Sequence, residues 1–233
     1  MPGSSAYLVW LLCTLAEAAV VVCSIRRGSF RRYLALNCYM LACIAVSAVR
    51  LRVLTTYGLT SREYLYTYCS SDLLLAVGLY FALTSLYSHV FEEMGAERSI
   101  RLGAIVLLLG TAGFSLAIVM QSTTAQITGR FFVEASQNLY FVGLVLTYVL
   151  WGAVLKLRET RTRLIQLILS LGIFFSILAA TFALRNLYPP LHNLLQSLAP
   201  VTWILLPITW AYAFWRFPEE ARLMPSRLAM VPR

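Results

Sequence analysis

The chain is short of charge. Only 12% of its 233 residues are Asp, Glu, Lys or Arg, and 60% are hydrophobic, whereas soluble domains carry about 25% charged residues. So small a polar complement cannot clothe a water-facing surface, and a mean hydropathy of +0.74 puts the chain in the integral membrane class. Lysine is nearly missing, with Lys156 the single one beside 18 Arg. It falls at the edge of an apolar stretch, which argues against a retinal Schiff base inside a span. Histidine is as scarce. His89 and His192 fall at opposite faces of the membrane, which argues against a haem held by two His in one bundle. H-E-x-x-H and G-x-S-x-G do not occur, so zinc-protease and serine-hydrolase signatures are missing. No C-x-x-C occurs either. Cys13, Cys23, Cys38, Cys43 and Cys69 all lie in apolar stretches, where Cys packs as a small hydrophobe, so neither a metal site nor a structural disulfide is expected. No cofactor is expected, and the enzyme classes with local signatures are disfavoured.

Long apolar runs are plentiful. A helix needs about 20 predominantly apolar residues to cross the hydrocarbon core. Seven such stretches occur, at about 6–25, 33–54, 64–90, 102–121, 132–155, 164–184 and 193–215. The expected fold class is all-α, a seven-transmembrane-helix bundle forming one domain over residues 1–216, with a short tail at 217–233. The first run lacks a basic segment ahead of it and is followed by four basic residues, so it reads as a span and not as a cleaved signal peptide.

The Arg and Lys residues alternate between the two sides. Fourteen fall in RRGSFRR, at Arg98 and Arg101, at Lys156, Arg158, Arg161 and Arg163, and at Arg216, Arg222, Arg227 and Arg233. Five fall on the other side, at Arg50, Arg52, Arg62, Arg130 and Arg185. The positive-inside rule then sets the N-terminus outside and the C-terminus in the cytoplasm. The net charge of +9 sits in short loops; no basic domain is left over for nucleic acid. The lipid bilayer is the expected partner. Tyr7, Trp10, Tyr57, Tyr64, Tyr66, Tyr68 and Tyr188 are expected at the outer interface, and Tyr33, Tyr87, Trp151 and Trp215 at the inner one. The tail from Phe217 to Leu223 reads as a short helix start.

Polar residues inside the spans are the candidates for function, because a charge there costs about 2.5–3.5 kcal/mol on insertion scales. Asp72 interrupts YLYTYCSSDLLLAVGLYFAL in the third span. Ser70 and Ser71 precede it, Tyr68 stands one turn back, and Arg50 and Arg52 end the neighbouring second span. Two readings stand: a ligand or ion site in the outer half, or a structural Asp–Arg clamp between two helices. Glu17 is the second intramembrane acid, flanked by Ala16, Ala18 and Ala19. It serves either a proton relay or a hydrogen bond to Asn37, Tyr39 or Ser47 of the second span. Arg130, Glu134, Gln137 and Asn138 gather where the fifth span begins, as the rim of an outward pocket or as a solvated helix start. Pro200 and Pro207 kink the seventh span. Gly103, Gly110 and Gly113 give the fourth a small-residue face for close packing.

The layout, with its apolar first span, the RRGSFRR cluster, a second span starting near Tyr33 and the Tyr-rich third span with polar Asp72, resembles uncharacterised bacterial seven-helix membrane proteins. It also resembles the seven-helix input modules of some bacterial sensor kinases, except that no output domain follows the seventh span. The resemblance implies residence in the bacterial cytoplasmic membrane and a partner signalling protein. The expected function is a sensor-like or ligand-binding membrane subunit. A small proton-coupled carrier and a structural subunit of a membrane complex are the alternatives.

Overall fold

The computed structural model describes residues 4–91, 97–120, 127–157, 161–187 and 192–219. Seven helices are found among them: α1 (Ser4–Arg26), α2 (Leu34–Tyr57), α3 (Arg62–Val90), α4 (Glu97–Met120), α5 (Ile127–Lys156), α6 (Thr162–Leu187) and α7 (His192–Arg216). No strand occurs among the described residues. In hydrocarbon every backbone N–H and C=O must find an internal partner, and a helix satisfies its own. The helices match the seven apolar runs but extend past most of them by one to five residues into the Arg-bearing flanks. By length and composition, α1, α2, α3, α5 and α6 are each able to cross a membrane, and Leu102–Ile118 of α4 is a shorter apolar stretch.

The helix ends are specified locally. Gly28 takes φ 64° after α1, a conformation that suits glycine. It lets Gly28 N–H reach the carbonyl of Ile25 at 2.9 Å and Ser29 N–H that of Ser24 at 3.0 Å, the Schellman pattern. Gly58, at φ 82°, closes α2 with its N–H on the carbonyl of Leu54. Ser61 then caps α3 by accepting from Tyr64 N–H at 3.0 Å. This short turn forces α2 and α3 to run antiparallel side by side.

Six helices close a ring. Each of α1, α2, α3, α5, α6 and α7 packs against the next, and α7 returns to α1. The fourth helix stands outside the ring, against α5 and α3. Two polar contacts fasten it: Tyr80 Oη donates to the carbonyl of Ala104 at 2.8 Å, and Asn138 Nδ2 donates to Ser115 Oγ at 2.9 Å. Trp210, Phe174, Leu79, Leu83 and Leu171 are fully buried between the ring helices. Leu109 and Leu155, at 66% and 68% exposure, represent an outer surface as apolar as the core, which a lipid-facing surface tolerates. Helices α5 and α6 pack tightly at Gly143, where an added Cβ would lie 2.5 Å from Phe175 Cζ.

Candidate functional site

A cavity of about 400 Å³ lies in the half of the bundle that carries the start of α1 and the 58–61 turn. Four ring helices supply its walls. From α1 come Trp10, Cys13 and Glu17, from α2 Cys43, Ser47 and Arg50, from α3 Tyr68, Asp72 and Leu75, and from α7 Trp203. At 1.5 Å per residue Arg50 lies about 10 Å from the end of α2, Asp72 about 15 Å from the start of α3, and Glu17 about 20 Å from the start of α1. The charged groups therefore descend in the order Arg, Asp, Glu.

Three local arrangements set the chemistry. Arg50 turns along the α2–α3 seam: Nε donates to Ser71 Oγ at 2.7 Å, Nη2 donates to the carbonyl of Tyr68 at 3.2 Å, and the guanidinium lies 4.3 Å from the centre of the Tyr68 ring. That stacking holds a planar cation against a π face. Asp72 accepts from Tyr140 Oη of α5 at 3.5 Å and makes no ion pair with Arg50 within 4.0 Å. Glu17 differs again, since its Oε2 is fully buried and has no hydrogen-bond partner. The expected partner Asn37 is committed elsewhere, donating to Ser24 Oγ and to the carbonyls of Tyr33 and Phe30. Pro207 removes the N–H that would bond the carbonyl four residues back, which leaves the Trp203 carbonyl without its helical donor beside the cavity.

The remaining predicted residues lie apart. Arg52 is exposed, and its carbonyl accepts from Thr55 and Thr56. Glu134 is half-buried on α5 outside the cavity wall. Asn138 faces α4 and its Ser115. The side chains of Arg98, Arg101, Arg130, Arg185, His192 and Pro200, together with Tyr188, Arg158 and the tail from residue 220 on, lie outside the described residues. All five cysteines are free thiols, and two of them, Cys13 and Cys43, line the cavity.

The opposite end of the bundle is closed by a cluster that the spacing of residues did not announce. Arg163 of α6 is only 2% exposed. It donates from Nε to the carbonyl of Phe217 at 2.8 Å and from Nη1 to Ser29 Oγ and to Glu219 Oε2, the last at 2.7 Å. Glu219 also pairs with Arg32 at 3.2 Å and accepts from Tyr33 Oη at 3.3 Å. Arg161 reaches the carbonyl of His89, and His89 Nε2 meets the carbonyl of Arg32 at 2.7 Å. The 27–33 loop and the ends of α3, α6 and α7 are thus tied into one polar plug. Glu219, in the stretch that reads as a short helix start, is the acid that neutralises the buried Arg163. An acid placed just past the last apolar run, facing a buried Arg at the start of the previous one, was the available signal.

No family model matches the chain, and no curated protein and no solved structure is significantly similar to it.

Proposed function

We propose that this protein is a sensor-like, ligand-binding membrane subunit without enzymatic activity, and that the cavity around Asp72 and Glu17 is its ligand site. The observation that carries this is the convergence of Glu17, Arg50 and Asp72 on one cavity without an ion pair among them. Charged groups inside a membrane bundle are costly and normally pair. Gathered around open volume without an ion pair, they are poised for something that enters. The polar plug at the other end supports a site that opens to one side only. In this proposal all seven helices span the bacterial cytoplasmic membrane, with the N-terminus and cavity mouth outside and the plug in the cytoplasm, as the Arg distribution favours. A partner membrane or cytoplasmic signalling protein would carry the response onward, as the resemblance to kinase input modules and to uncharacterised bacterial seven-helix proteins suggests. Nucleic acid has no part in it.

The test is thermal melting of the purified protein in mild detergent against a library of small molecules and ions, for wild type and Asp72→Asn together. A ligand bound only by the folded state raises the melting temperature. A shift in wild type that disappears in Asp72→Asn supports the site; no shift with any compound counts against it. The shared cavity of two carboxylates also favours a second reading, a proton-coupled carrier. Ligand-dependent proton flux in proteoliposomes would select it over sensing.

A further inference from the structure

The chemistry of the cavity narrows what it takes, and the following rests on the reading of the cavity as a ligand site. Arg50 already has three engagements, with Ser71, the Tyr68 carbonyl and the Tyr68 ring. Its single positive charge is offset by Asp72 in the same cavity, and Asp72 has Tyr140 as a donor. Glu17 remains as the acid without a partner, and its Oε2 is an orphan acceptor. A buried acceptor without a donor costs about 1–3 kcal/mol. What relieves it must bring an N–H or O–H donor, and a cationic donor makes the stronger bond to a carboxylate. A metal ion fits poorly, since no three His, Cys, Asp or Glu side chains gather as ligands among the described residues. Trp10 and Trp203 add two indole rings to the wall. Such rings attract a cation and cover an apolar body equally well. The volume of about 400 Å³ suits a small molecule.

We infer that the cavity selects a small protonated amine with an aromatic or aliphatic body, whose ammonium group donates to the Glu17 carboxyl group as that side chain turns Oε2 toward the cavity, while its body lies against Trp10 and Trp203. Binding transfers no atoms. It replaces an unsatisfied acceptor by a charge-assisted hydrogen bond. A quaternary ammonium of the same body has the charge but no N–H, and an alcohol has the donor but no charge.

The experiment measures melting temperature and tryptophan fluorescence of the full chain in detergent, titrated with phenethylamine, phenethyl alcohol, trimethyl-phenethylammonium and phenylpropionate. Phenethylamine is expected to bind at least tenfold more tightly than each of the other three, and Glu17→Gln to weaken it at least tenfold. Equal binding of amine and alcohol, or full-strength amine binding by Glu17→Gln, overturns the inference. If Glu17→Gln does not fold, the four-compound comparison on wild type decides alone. A saturable shift with phenylpropionate, lost in Arg50→Met, with none from the amine, would reject the amine and keep the cavity as a ligand site. Absence of any shift across all four compounds and the wider library rejects both.

Discussion

The two ends of the bundle hold the same kinds of side chain in opposite circumstances. At the plug, Arg163 is almost wholly buried, and its guanidinium has a carboxylate, a hydroxyl and a carbonyl around it. At the cavity, Arg50, Asp72 and Glu17 share one space without forming an ion pair, and one carboxylate oxygen has no donor. Buried charge that is fully paired maintains a structure, and removing one partner strands the other. A buried carboxyl oxygen that no donor reaches burdens the structure, and removing that carboxyl relieves the burden. The plug therefore reads as architecture and the cavity as a site, even though each contains an Arg and an acid.

The largest effect is expected at the plug. Glu219→Ala strips Arg163 of its carboxylate, which for a buried pair costs about 3 kcal/mol. Denaturant titration in detergent should register that loss, and a loss under about 1 kcal/mol would mean that Ser29 and the Phe217 carbonyl satisfy Arg163 unaided. Next comes Gly143→Leu, remote from both ends. Its side chain would collide with the Phe175 ring, and overpacking of this kind costs about 1–3 kcal/mol. Cavity binding in this variant should survive wherever the protein remains folded, which separates general damage from loss of the site. A smaller effect is expected for Arg50→Met. It forfeits the hydrogen bond to Ser71 and the stacking on Tyr68, about 1 kcal/mol together, and it should tighten amine binding in the melting assay by leaving Asp72 without its counter-charge. A fourth test uses the thiols. In a chain retaining only Cys13, alkylation should slow when phenethylamine occupies the cavity that Cys13 lines, whereas a chain retaining only the exposed Cys38 should react at an unchanged rate.

Much of the fold was legible in the sequence, because each apolar run is long enough to declare a helix. The neighbours of each helix were not. Chain order places α4 between α3 and α5, yet α3 and α5 pack directly and α4 stands outside them. That choice depends on contacts such as Tyr80 to Ala104 and Asn138 to Ser115, which link residues more than twenty positions apart. The same gap governs the site. Asp72, Arg50 and Tyr68 could be grouped from the short α2–α3 turn alone. Glu17 joins them only because the ring brings α1 against α2 and α7, and Trp203 joins only because α7 closes that ring. Glu134 and Asn138 share a helix face in α5, but the side chains fastening α4 take Asn138 away from the cavity. Counting Arg163 as a loop charge served the orientation argument and hid its burial, since a count of charges says nothing about depth.

The most direct measurement is a paired melt of Glu17→Gln and Glu219→Gln against wild type, without ligand and under one set of detergent conditions. Unsatisfied charge at the cavity and satisfied charge at the plug predict opposite signs: Glu17→Gln unchanged or raised in melting temperature, Glu219→Gln clearly lowered. If Glu17→Gln falls as far as Glu219→Gln, then Glu17 is part of the architecture and the distinction between the two ends is wrong.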